Sequence, residues 1–263
     1  MNFYDALESK TAQNLGHEQN ETLRRIVEEY GAIFVVNEKL ATPPTCAMFD
    51  DETHVSQFQE SLSVATHDFD DVKIELQRGA MNALLSARRD AQKVGLDITP
   101  RGGSEAARRS YADTLRLWDS RFAPALVHWQ RLGEISEVIA QKLKSAPLLE
   151  QIGGVLTLES RGLFFSKDLS KSILYSVAAP GCSQHLSMLA FDVAEFYDAN
   201  VREILAANGW FRTVQNDLPH FTFLGYDESE LEKIGLRKLE TNDGAFWIPN
   251  TEIRRISTTD EHR

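Results

Sequence analysis

Two histidines and one aspartate lie in two short, largely apolar segments of this sequence. His185 and Asp192 belong to the run of residues 183–192, and His220 follows 28 residues after Asp192. Neutral imidazole nitrogens and a carboxylate oxygen are good ligands for a catalytic zinc ion, which takes three protein groups and keeps a fourth position open for water. The residue types therefore indicate a zinc site. The competing interpretation is that both histidines are core residues whose hydrogen bonds are satisfied by their neighbours.

The elements that carry these residues must bring them together. Side chains of a strand alternate between its two faces, so His185 and Asp192, seven positions apart, would point apart in one unbroken strand. We therefore expect a turn between them, with His185 on a loop and Asp192 on a strand over residues 189–193. A second strand-like run, residues 221–226, follows His220. This places His220 at the start of a neighbouring strand, beside Asp192.

The sequence leaves two interpretations for each of two side chains near His185. Cys182 lies three residues before His185. It is a weaker candidate for a zinc ligand because three ligands are already available, and its other role is that of a small buried side chain. Ser183 either hydrogen-bonds a metal ligand from outside the coordination sphere or shapes the turn.

Three motifs resemble those of the zinc D-alanyl-D-alanine carboxypeptidase family, which includes vancomycin-resistance carboxypeptidases and dipeptidases and peptidoglycan endopeptidases. The family motif S-x-H-x-x-G-x-A-x-D corresponds to the run from Ser183 through His185 to Asp192, and the histidine of the later motif E-x-W-H corresponds to His220. A third motif, R-S-Y-x-x-Q-x-x-L-Y, resembles residues 109–118. The three matches come in family order and span about half of the chain.

Three positions depart from the family pattern. Met188 replaces a glycine and adds a long side chain close to the metal strand, and Thr114 replaces a glutamine. Asp217 stands three residues before His220, where the family has glutamate. Because that glutamate is the general base of the family, the resemblance gives the role of base to Asp217, whose other interpretation is a turn or capping residue before Pro219.

The resemblance also implies an arginine that holds a substrate carboxylate or polarises the scissile carbonyl. Guanidinium binds carboxylate through two parallel hydrogen bonds. Arg109 is one candidate because it belongs to the third motif. Arg101 is the other, because it follows a strand-like segment, where the family's arginine also lies. The sequence leaves both open, and a solvent-exposed helix residue is the simpler interpretation of Arg109.

The resemblance implies a zinc-dependent peptidase that hydrolyses bonds next to D-amino acids. The expected substrates are the peptidoglycan stem peptide and other peptides that contain D-Ala-D-Ala. The alternative is a metal-binding interaction protein on the same fold, with hydrolysis lost or reduced.

Composition excludes several other classes of function. The chain has 263 residues, 42% of them apolar, and a formal net charge of -11. An acidic chain without a run of basic residues argues against nucleic-acid or anionic-membrane partners. No apolar run approaches the roughly 18 residues of a membrane span. The first residues lack the pattern of an export signal, so we expect an extracytoplasmic protein if a signal was removed and a cytoplasmic one otherwise.

Periodicity predicts an α+β fold, with a small, mainly antiparallel sheet that carries the zinc site and is flanked by helices. Helices are expected over residues 21–30, over residues 70–94 with Gly95 as the stop, and over residues 105–118 with Ser104 as the N-cap. Residues 1–70 are expected to form a helical N-terminal extension, and residues 71–263 the catalytic domain.

Overall fold

The computed structural model describes residues 1–10, 16–43 and 47–252. The helices of these residues are α1 Phe3–Lys10, α2 Glu21–Tyr30, α3 Glu52–Ser61, α4 Arg78–Lys93, α5 Tyr111–Arg131, α6 Glu137–Ser145, α7 Leu148–Glu159 and α8 Ala199–Ala207. The strands are β1 Val64–Phe69, β2 Val72–Gln77, β3 Ala190–Asp192, β4 Trp210–Phe211, β5 His220–Phe223, β6 Leu236–Thr241 and β7 Gly244–Pro249. Short 3-10 helices join several of these elements.

Every strand pairing in the described part of the chain is antiparallel. Strands β1 and β2 form one hairpin, β6 and β7 form another, and the central sheet has the order β3-β5-β4. A short bridge between Pro100 and Val193 lengthens the central sheet on the β3 side. The α+β class, the small antiparallel sheet and the N-terminal helices are as the sequence predicted.

The prediction of one long helix over residues 70–94 is wrong in its first part. Residues 72–77 form β2, which pairs with β1 around a turn at Asp70, whose φ is 50°. The apolar residues Val72, Ile74 and Leu76 alternate with polar ones, and Ile74 and Leu76 are buried. Alternation is the pattern of a strand with one buried face. The remainder is α4, which ends before Gly95 as expected.

The helix expected over residues 105–118 starts later than predicted. Ser104 begins a short 3-10 helix. The N-cap of α5 is Ser110, whose hydroxyl accepts a hydrogen bond from the backbone N–H of Asp113 while the Asp113 side chain accepts from the N–H of Ser110. This reciprocal pair satisfies two N–H groups at the helix start. The helix then continues to Arg131.

Two apolar cores meet along α2. One lies beneath the strands and contains Phe3 and Val27 together with Phe191. The other lies among α5, α6 and α7 and contains Ile26 and Tyr30. Neighbouring residues of α2 therefore face different cores.

The expected boundary at residue 70 falls in the turn between β1 and β2. Side chains from before that point, such as Phe3, share a core with strand residues from after it. None of the helices in the described part of the chain combines the length and apolar character that crossing a membrane requires.

Candidate metal centre

The central sheet and the turn before it position the three predicted ligands. His185 lies in a 3-10 turn over Gln184–Ser187, Asp192 ends β3, and His220 begins β5. Asp192 and His220 are directly opposite each other in the antiparallel pairing. This is the placement that the sequence predicted, with a loop for His185 and adjacent strands for the other two.

The three ligand atoms form a nearly equilateral triangle. His185 Nε2 lies 3.1 Å from His220 Nδ1, and each of these nitrogens lies 3.3 Å from Asp192 Oδ1. Metal–ligand bonds of about 2.0–2.2 Å in a tetrahedron place ligand atoms roughly 3.3–3.6 Å apart. The triangle therefore fits a metal ion after shifts of a few tenths of an ångström, and these residues could hold one.

The backbone fixes which nitrogen of His185 faces this triangle. His185 Nδ1 lies 3.3 Å from the carbonyl oxygen of Ala107. Because a carbonyl only accepts, Nδ1 carries the proton of the neutral ring. Nε2 then presents its lone pair to the other two ligand atoms.

Gln184 fixes the ring of His220 in the same way. The Gln184 amide nitrogen donates to the carbonyl oxygen of Tyr30 at 2.9 Å, so its Oε1 must face the other way. His220 Nε2 lies 2.9 Å from that Oε1 and therefore carries the ring proton. Thr213 and Thr222 also donate to the same oxygen. The lone pair of His220 Nδ1 is left for the metal, and Gln184 is a site residue that the sequence interpretation missed.

The lone pairs of the two imidazoles and the negative charge of Asp192 favour the binding of a cation in the triangle. Burial lowers the pKa of His185 to about 4, and the charge of Arg109 adds to this effect. Burial alone would raise the pKa of Asp192, but His185 and His220, when they are protonated, hold it well below its usual range. A carboxylate and two neutral imidazoles with converging lone pairs repel one another unless a cation lies between them.

Of the two candidate arginines, Arg109 contacts the triangle. Its Nη2 lies 2.8 Å from Asp192 Oδ2, the carboxylate oxygen that is not part of the triangle, and its Nε donates to the carbonyl of Glu105. Its Nη1 has no hydrogen-bond partner among the described residues and lies on an open cleft. Arg101 is exposed, with its guanidinium 4.9 Å from the centre of the Phe196 ring. Its backbone N–H, and not its side chain, bonds Asp192.

Asp217 lies on the same cleft, in a turn that leads to His220. Its carboxylate accepts no hydrogen bond from the described residues. Burial within the cleft raises the pKa of this carboxyl group, and the neighbouring His220 opposes the rise. The residue as a whole is exposed, and contact with solvent limits the size of the effect.

Ser183 and Cys182 stand outside the ligand triangle. Ser183 is buried on the cleft wall, and its hydroxyl forms no hydrogen bond with a described residue. Cys182 is buried with its Sγ 3.6 Å from the carbonyl of Pro180. The segment before them depends on Gly181, whose φ is 76° and where a Cβ would lie 2.3 Å from the carbonyl oxygen of Phe49. Only glycine fits this close approach.

Met188 also adopts a conformation that favours glycine. Its φ is 57° and its ψ is 31°, in the left-handed region. Glycine adopts this conformation at a lower cost than a residue with a side chain. Met188 instead buries its side chain almost completely.

The triangle opens onto a cleft of about 200 Å3. Tyr30 and Val214 line one part of it, and Leu117 and Arg121 of α5 line another. Arg121 donates from Nε to the hydroxyl of Ser176 at 3.0 Å. Two arginines therefore border the cleft: Arg109, which contacts the triangle, and Arg121 of α5.

No family model matches this chain, and no curated protein sequence matches it.

Proposed function

We propose that this chain is a zinc-dependent peptidase that cleaves peptide bonds next to D-amino acids. The observation that carries the proposal is the triangle of His185 Nε2, Asp192 Oδ1 and His220 Nδ1, with sides of 3.1–3.3 Å and both imidazole protons held on the outer nitrogens. The resemblance of the motifs around these residues to D-alanyl-D-alanine carboxypeptidases supports a peptide substrate.

The ligand chemistry suits zinc. Two imidazoles and one carboxylate leave a fourth position open, and a bound zinc ion would activate water near neutral pH. The hydrogen bonds that the two rings donate to Ala107 and Gln184 orient the rings, as partners outside the coordination sphere do in catalytic zinc sites. Arg109 holds the second oxygen of Asp192 and so fixes the orientation of the carboxylate.

In the proposed reaction Asp217 moves the proton. Its carboxylate has no partner among the described residues and lies on the cleft. A raised pKa brings a carboxyl group closer to the operating pH, which improves its exchange of protons with water and with a leaving amine.

The shape and charge of the cleft favour the carboxyl end of a peptide. Pockets for drug-sized ligands measure about 300–1,000 Å3, so the smaller cleft suits a terminal residue or two. The free Nη1 of Arg109 and the guanidinium of Arg121 supply positive charge for a terminal carboxylate. This favours removal of a terminal residue over cleavage within a long chain.

The test is hydrolysis by the zinc-loaded chain of a short peptide that ends in D-Ala-D-Ala. We expect turnover, and weaker turnover when the terminal carboxylate is converted to an amide or the last residue is an L-amino acid. His220→Ala should abolish activity, while His128→Ala, a matched change on α5 outside the cleft, should leave it intact. Stoichiometric zinc without turnover on any of these peptides would contradict the peptidase and favour a metal-binding interaction protein.

A further inference from the structure

A second cleft lies on the opposite side of the central sheet from the ligand triangle. Adjacent residues of a strand point to opposite faces, and Phe221 lines this second cleft while His220 faces the first. The second cleft has a volume of about 580 Å3 and lies between α8 and the β6–β7 hairpin. The proposed peptidase activity uses none of its residues.

Two arginines converge in this cleft. A Cβ placed on Gly244 would lie 2.7 Å from Arg212 Nη2 and 3.3 Å from Arg202 Nε. Glycine at this position, with a φ of 98°, leaves room for both guanidinium groups. Neither arginine forms an ion pair with a carboxylate in the described part of the chain.

Each guanidinium uses only part of its hydrogen-bonding capacity. Arg212 donates from Nε and Nη2 to the carbonyls of Asp243 and Ala245. Arg202 donates from Nη1 to the carbonyls of Phe196 and Tyr197. The Arg212 guanidinium also lies 4.4 Å from the centre of the Phe246 ring, but Arg212 Nη1 and the Nε and Nη2 of Arg202 have no hydrogen-bond partner among the described residues.

The two like charges destabilise each other. Burial lowers the pKa of Arg212 to about 10 and the charge of Arg202 acts in the same direction, while the more distant carboxylates of Asp243 and Glu240 oppose the shift only in part. Arg212 is 4% exposed. A buried cation with a second cation beside it is costly unless an anion is bound.

The other charges of the cleft limit what the anion can be. Lys238 lies 3.2 Å from both Glu228 and Glu240, so these three side chains neutralise one another in part. Glu203 and Asp227 add negative charge to the lining. A polyanion would be repelled by these carboxylates, whereas one small anionic group at the arginines would not.

We propose that this cleft binds a small ligand with a single carboxylate or phosphate group, held by Arg202 and Arg212. The rest of the ligand lies against Trp247 and Phe211, which supply an aromatic wall. The site is separate from the metal centre, and its existence does not depend on peptidase activity.

The test uses NMR titration of the full chain with three probes at constant ionic strength: inorganic phosphate, benzoate and its neutral analogue benzamide. We expect saturable shifts of the Trp247 indole and Gly244 amide signals with benzoate, phosphate or both, and none with benzamide. Saturation by benzoate alone identifies a carboxylate ligand, and saturation by phosphate alone identifies a phosphate ligand.

Variants distinguish a specific anion site from a general electrostatic attraction of anions to the protein. Arg202→Gln should weaken binding about tenfold or more, the loss typical of a hydrogen bond to a charged group. Arg202→Lys keeps the charge without the planar fork and should weaken it less. Arg131→Gln, an equal change in charge at the end of α5, should have no effect. Absence of saturation with both anions, equal binding of benzamide, or equal losses in Arg202→Gln and Arg131→Gln would overturn the proposal.

Discussion

The role of Gln184 gives the sharpest prediction for the metal centre. Its Oε1 accepts the Nε2 proton of His220, and its Nε2 donates to Tyr30. Gln184→Leu would leave the His220 N–H with only the more distant hydroxyl of Thr222, 3.5 Å away, and would remove the amide donor to the Tyr30 carbonyl. Thr213 and Thr222 would be spared because their hydroxyls already lie 2.7 Å apart and can pair with each other.

The magnitudes follow from these contacts. A buried group left without a good partner costs about 1–3 kcal/mol, so Gln184→Leu should lower the free energy of unfolding by about that amount. Loss of the partner of a ligating imidazole typically weakens metal binding by about 10–100-fold. Both losses arise from one side chain that touches no metal.

Gln184→Glu separates the two effects. A carboxylate still accepts from His220 Nε2 but cannot donate to the Tyr30 carbonyl, so the protein should lose stability without losing zinc affinity. Competition with a chromophoric chelator measures the affinity, and chemical denaturation of the metal-free protein measures the stability. Unchanged zinc affinity in Gln184→Leu would refute the orienting role of Gln184.

Four further outcomes are expected. Met188→Gly should relieve roughly 1–2 kcal/mol of strain in the left-handed backbone but lose about 2–5 kcal/mol of stabilisation from the buried Met188 side chain. Chemical denaturation should therefore show net destabilisation. In the metal-free protein, the pKa of His185 is about 4 in the folded state and about 6.5 in the unfolded state. Between these pH values, His185 takes up a proton only in the unfolded state. The free energy of unfolding should therefore fall by roughly 3 kcal/mol from about pH 6.5 to pH 4, and His185→Gln should remove this slope. Arg109→Ala should lower kcat/KM by an amount on the order of 2–4 kcal/mol, whereas Arg101→Ala should leave it nearly unchanged; equal effects would contradict the assignment. Asp217→Asn should abolish turnover and retain zinc, and an active Asp217→Asn would exclude the role of base.

The ligand triangle could be anticipated because its signal is local. His185 and Asp192 lie in one short run, and their spacing requires a turn, which the structure contains. The placement of His220 beside Asp192 followed from its position at the start of the next strand-like run. Residue type, spacing and the resemblance of the motifs together indicated these three.

Gln184 could not be identified in this way. Its function depends on the carbonyl of Tyr30, 154 positions earlier in the chain. The only signal was a polar side chain between Ser183 and His185, and such a residue is equally compatible with a turn. Long-range hydrogen bonds of this kind become visible only when the fold brings the partners together.

The error over residues 70–94 has a different cause. Val72 and Leu76 are four positions apart, which fits one face of a helix as well as alternate residues of a strand. Pairing with β1 decides in favour of the strand. Short apolar runs of this type are ambiguous because their tertiary partners, and not their own period, select the structure.

The central claim is that His185, Asp192 and His220 hold one catalytic metal ion. Anomalous diffraction at the zinc edge, from crystals of the zinc-loaded protein, tests it most directly. We predict a single peak about 2.0–2.2 Å from His185 Nε2, His220 Nδ1 and Asp192 Oδ1, with the outer ring nitrogens still bonded to Ala107 and Gln184. The absence of a peak there, or coordination through His220 Nε2 or His185 Nδ1, would contradict the account.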